Sequence, residues 1–269
     1  VAELNARRAA SGTVNGSVEA VFDVRTLNGR TFFLAEGGDV TVEDFMKAYG
    51  AQAQANSSHP RIATPLPLHI SVKILVDVLR GCLELESANL THGGLTPENI
   101  FIMKARSVLR GLESVCRVGG DVPELSCATL DETAAGGGPL FTSPLWQAPE
   151  ALNGVPVGSG DHAWAAGMMF AYISLGYIPI EEFFRSRSSP HPGRSASRAA
   201  IAFYFNVAAL PLFSQLDPDV KRILQGMLVP RDTRWDTKSA LKAFESLAKA
   251  RGINIHGLRP LPKLAIARH

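Results

Sequence analysis

The sequence predicts an α+β fold, with a small strand-rich part over residues 1–68 and a larger helical part over residues 69–269. Near the N-terminus, two β-rich segments flank Asn28-Gly29, a strong signal for a two-residue hairpin. From Ser71 onward the apolar spacing changes to helical, and three further helical patterns follow.

Taken in order, Ser17–Val24 (SVEAVFDV) is rich in β-formers, and Arg30–Ala35 (RTFFLA) returns from the hairpin. Residues 39–56 predict a helix, because Val42, Phe45, Met46 and Tyr49 recur on one face and Glu43 and Asp44 favour its first turn. Val72, Ile74, Leu75, Val78, Leu79, Cys82 and Leu83 form the apolar stripe of a long helix. Further helices are expected at 161–174, 217–228 and 237–250. Ala134–Pro139 (AAGGGP) reads as a loop, as does Arg185–Arg198, an arginine- and serine-rich stretch open to solvent, phosphorylation or an acidic partner.

Apolar residues make up 46% of the chain and the formal net charge is +2. Such a near-neutral balance gives no reason to expect a nucleic-acid partner. No uncharged apolar run reaches the ~18 residues of a membrane span, so no transmembrane segment is expected. The chain opens at Val1, so targeting is not legible from its start. Cys82, Cys116 and Cys127 fit no zinc spacing and no CxxC pair. Cys116 and Cys127 are close enough to close a short disulfide loop in an oxidising compartment, or they are buried thiols.

One stretch carries chemistry. Leu90–Ile102 reads LTHGGLTPENIFI, which resembles the catalytic loop of a protein kinase, H-R-D-L-x-x-x-N. His92 and Leu95 match, and Asn99 falls at the metal-binding position. Ala148-Pro149-Glu150 resembles the A-P-E motif that closes a kinase activation segment. Asp161–Gly167 (DHAWAAG), with Asp161 and Trp164, is similar to the D-x-W-x-x-G opening of a central helix. In Pro230–Leu241, Arg234 resembles the arginine that pairs with the A-P-E glutamate, here Glu150. The resemblance spans residues 70–245 and implies a bilobal kinase-like fold, with a reduced N-terminal sheet and a helical C-terminal lobe.

That resemblance also says where phosphoryl transfer should be carried, and those positions are empty of charge. The catalytic base position is Gly94, which offers no proton acceptor, and the lysine expected two residues later is Thr96. The metal-binding Asp position falls on Gly120, or Gly119 in another register, with Asp121 offset to the opposite face. Asn99 is then a remnant ligand without a carboxylate beside it, a poor magnesium site. The phosphate-covering glycine loop would fall at Gly12–Val18, and the phosphate-anchoring strand lysine at Ala35, with no glutamate partner in the helix that follows. Between Pro60 and His69 there is no room for two more strands, the inter-lobe crossing and another helix.

The segment PLPLHISVKILVDVLRGCLELESANLTHGGL further resembles the secreted apicomplexan kinases related to the rhoptry family, in the branch that has no glycine loop. This resemblance implies export into the parasitophorous vacuole and cyst wall, protein partners, and no cofactor or metal. It would also favour a Cys116–Cys127 disulfide. Three functions are open: an inactive pseudokinase acting as a scaffold, a nucleotide-binding switch, and an atypical active kinase using relocated residues.

Overall fold

The computed structural model describes residues 17–19, 21–27, 30–35, 40–53, 64–103, 106–117, 146–152, 159–179 and 216–255. Its fold is α+β. Strands β1 (Val21–Leu27) and β2 (Arg30–Ala35) pair antiparallel, with Leu27 opposite Arg30, so a two-residue connection joins them. The predicted strand 17–24 is displaced toward the hairpin. Ser17–Glu19 instead lies beside Leu109, whose N–H donates to Ser17 O at 2.9 Å and whose carbonyl accepts from Glu19 N at 2.8 Å.

A short strand β3 (Val40–Thr41) leads into helix α1 (Val42–Ala53). Thr41 Oγ1 accepts from Asp44 N at 2.9 Å and donates to the Asp44 carboxylate at 2.8 Å, a reciprocal cap that fixes the helix start. β3 pairs with β5 (Ile100–Met103), which pairs with β6 (Arg106–Leu109). Helix α1 packs on the Pro97–Met103 stretch, burying Val42, Phe45 and Met46, and Glu43 accepts from Tyr172 Oη at 2.8 Å. Helix α1, N-terminal to the boundary expected at residue 68, shares one core with the elements that follow it.

Helix α2 (Leu68–Ser87) buries Val72, Ile74, Leu75, Val78, Leu79 and Cys82 of the predicted stripe, but Leu83 is only half-buried and Leu85 takes the core position instead. Gly81 lets β6 and Ser17 approach closely, since a Cβ there would lie 2.7 Å from Leu109 and 2.8 Å from Ser17 O. The helix ends where Asn89 turns left-handed at φ 55°. Strand β4 (Leu90–His92) then pairs antiparallel with β7 (Val115–Arg117).

Helix α3 (Pro149–Leu152) precedes α4 (Ser159–Leu175), whose residues from Ala163 to Ile173 are all buried. A helix apolar on every side can only be a central one. Around it pack α2, α5 (Pro218–Met227) and α6 (Thr237–Ala250). Phe170 of α4 meets Phe244 of α6 edge to face at 4.7 Å. Both outer helices start on aspartates: Asp217 accepts from Asp219 N at 2.9 Å and Asp236 from Ser239 N at 2.7 Å. Each cap is worth about 1 kcal/mol. Among the described residues, no helix is long and apolar enough to cross a membrane.

Candidate functional site

The loop between β4 and β5 is held by backbone groups rather than by charge. His92 is buried, its Nε2–H donates to Arg110 O, and its Nδ1 accepts from Gly94 N at 3.2 Å. Burial, opposed by the bond to Arg110 O and reinforced by His162, lowers its pKa to about 4, so the ring is neutral at pH 7. Gly94 is buried, and its carbonyl accepts from Asn99 Nδ2 at 2.7 Å. Thr96 is 5% exposed, with extended backbone, and its carbonyl accepts from Asn99 N at 3.0 Å. From Gly93 to Asn99 the sole ionisable side chain is the exposed Glu98.

Gly111 stands against the Asn99 side chain. Its φ is 76°, and a Cβ built there would lie 2.7 Å from Asn99 Cγ and 2.8 Å from Oδ1. The preceding residue, Arg110, donates its backbone N–H to Asn99 O at 2.8 Å. Its side chain donates through Nε to Glu19 at 2.9 Å and lies 4.2 Å over the Phe101 ring. The Arg110 guanidinium is thus engaged by Glu19 and Phe101, and only its backbone touches Asn99.

The metal position expected at Gly120, or at Gly119, lies outside the described residues, as does Asp121. In kinases the catalytic-loop Asn and a second acidic residue hold the metal together, so the second position must adjoin Asn99. Among the described residues, Arg110 and Gly111, directly after β6, both adjoin Asn99. Strand β7 pairs with β4 downstream of Gly111, and the Leu112–Ser114 turn separates it from β6.

Ala35 ends β2, and within a few residues the chain pairs with β5 as β3. Helix α1, the candidate partner for a strand lysine, packs on Pro97–Met103. Gly12–Gly16 lie outside the described residues, as does Cys127, so the Cys116–Cys127 pair is not described either. Cys82 is a buried free thiol, and burial followed by the Glu86 charge pushes its pKa well above the usual value.

The structural landmarks converge behind this loop. Arg234 grips Glu150 with two bonds, from Nη1 to Oε1 and, at 3.0 Å, from Nη2 to Oε2. It also donates to Val229 O and Gly160 O, and lies 4.8 Å from the Trp164 ring. Burial raises the Glu150 pKa, but the Arg234 hydrogen bond and charge outweigh it, leaving the carboxyl below its usual value.

Asp161 lies 3.8 Å from Arg234, away from the loop. The neighbouring His162 reaches the loop instead: Nε2 accepts from His92 N at 2.8 Å. Counting D-x-W back from Trp164 lands on His162, not Asp161, so the motif starts one residue later than expected and its first letter is His. Glu86, which anchors His162 Nδ1 at 2.7 Å and accepts from Thr237 Oγ1, carried no motif signal at all. Among the described residues, no group of His, Cys, Asp and Glu side chains could hold a metal ion.

No family model matches the chain. Over 153 residues, 57% of its length, it is 29% identical to homeodomain-interacting protein kinase 1 of Caenorhabditis elegans. Part of the chain is kinase-like. The match covers 16% of that relative, so the chain spans about a sixth of the length of the protein it resembles. The α+β architecture is compatible with a kinase-like fold.

Proposed function

We propose that this kinase-like chain is a pseudokinase, which acts through protein contacts and transfers no phosphoryl group. The carrying observation is the pair Gly94 and Gly111. The base position has no side chain, and the position facing Asn99 has none either. Phosphoryl transfer depends on positioned charge, and a neutral Thr96 does not replace the carboxylates and lysine it needs. Ala35 and the expected glycine loop have no part in this reading. By its resemblance to the secreted apicomplexan family, we assign the protein to the parasitophorous vacuole or cyst wall as a scaffold component.

Incubation of the purified chain with labelled ATP, magnesium or manganese, and a generic protein substrate should give no transfer above a protein-free control. Titration calorimetry with magnesium–ATP should show no heat at millimolar nucleotide. Reproducible transfer that Asn99→Ala abolishes would overturn the reading. Heat without transfer would favour the nucleotide-binding switch. Proximity labelling from the native location would test both the compartment and the protein partners.

A further inference from the structure

His162 is 1% exposed on the central helix, yet both of its ring nitrogens are engaged. Nδ1 lies 2.7 Å from Glu86 Oε1, so it carries the hydrogen and donates. Nε2 accepts from the His92 backbone N–H at 2.8 Å and has the Thr91 hydroxyl at 3.1 Å as a second donor. The neutral Nδ1–H tautomer alone satisfies all three contacts.

Protonation breaks this arrangement. The Nε2 lone pair takes a proton from solvent, a new N–H bond forms, and the acceptor for His92 N–H disappears. The Thr91 hydroxyl can rotate and accept instead, but a backbone N–H cannot. His92 is 3% exposed, so once the loop recloses on the protonated ring its N–H is buried without that acceptor. Two N–H groups then face each other at the start of the loop, an unsatisfied and repulsive contact.

The groups that face His162 come from three elements. From α2 the Glu86 carboxylate faces Nδ1, and Thr237 of α6 holds that carboxylate in place. From β4 come the Thr91 hydroxyl and the His92 ring, itself committed to Arg110 O and Gly94 N. On α4 the adjoining Asp161 faces Arg234.

We propose that His162 is a pH-sensitive latch on the loop after β4: neutral, it pins His92 and the loop behind it, and protonated, it releases them. The proposal stands apart from the pseudokinase reading, because it concerns loop order and not phosphotransfer.

The test is hydrogen exchange of the Thr91–Leu95 amides in the full chain at pH 7.5 and 5.5, corrected for intrinsic rates. Amides around Phe244 report global opening. Protection at His92 should fall about ten-fold at pH 5.5 relative to that reference, as loss of one hydrogen bond implies. His162→Gln supplies a non-titrating carbonyl acceptor for His92 N–H and an amide donor for Glu86, and should remove the step. Imidazole nitrogen shifts of the unmutated protein give a readout independent of that variant's folding. They should show Nε2 becoming protonated together with the loss of protection. Unchanged protection at pH 5.5, a step that persists in His162→Gln, or a His162 ring that stays neutral through the step would each overturn the proposal.

Discussion

Arg234 and Glu150 are joined by two parallel N–H···O bonds, with the Arg234 side chain fully shielded from solvent. The pair ties the loop before α6 to the short helix α3, across a separation of 84 residues. Removing one partner strands a charge, so Arg234→Ala should cost about 3–5 kcal/mol. Arg234→Lys should recover only part of this, since an ammonium cannot make the two-pronged contact or lie flat against Trp164. Urea unfolding of both variants checks the order. An Arg234→Ala loss below about 1 kcal/mol would show that the pair is only incidental.

Restoring carboxylates should not restore chemistry. Gly94→Asp leaves no anionic ligand beside Asn99, so no phosphotransfer is expected from it. Gly111→Asp is worse placed, because φ is 76° and its Cβ would fall within 2.9 Å of three Asn99 side-chain atoms. We expect a destabilisation of about 1–3 kcal/mol from strain and displacement of Asn99. Thermal unfolding and a transfer assay of each single mutant and the double mutant would check this. Measurable transfer by Gly94→Asp alone would refute the account of the site.

Helix α6 occupies the predicted span 237–250, because its cap and its apolar spacing are both local properties of the sequence. What covers a helix is not local. The stripe Val42–Phe45–Met46 signals an apolar face, but nothing in it tells whether that face meets the β1–β2 hairpin or the Pro97–Met103 stretch. The order of strands after β5 is likewise not local: the turn at Leu112–Ser114 interrupts the strand pattern, and the pairing of Thr91 with Cys116 orders the segments. His162 was within reach of the sequence, one residue from the position chosen. Glu86 was not, since its role exists only where α2, α4 and α6 meet.

Trp235 lies against α5 at a residue that has no side chain. A Cβ on Gly226 would sit 2.3–2.5 Å from three atoms of the indole ring, so Gly226→Ala must displace the ring or the helix. The Trp235 N–H to Gly226 O bond, 2.9 Å long, limits how far the loop can retreat. A loss of about 1–3 kcal/mol is expected, typical of overpacking. Tryptophan emission should shift red as the half-buried indole gains solvent. Unchanged stability and emission together would mean that the contact yields freely.

Acid should weaken the fold through His92. In the folded chain its pKa lies at about 4, whereas an unfolded histidine titrates near 6.5. Between those values the unfolded chain binds a proton that the folded chain refuses, so stability falls as pH drops through 6.5 toward 4. The contribution is fully present above pH 7 and declines by about 2 kcal/mol at pH 5. His162 and the carboxylates also respond to acid, so the informative quantity is a difference. Unfolding free energies at pH 7 and 5 should fall by about 2 kcal/mol more in the unmutated protein than in His92→Gln, which has no ring to protonate. Equal losses would show that burial of His92 does not set the acid sensitivity of this loop.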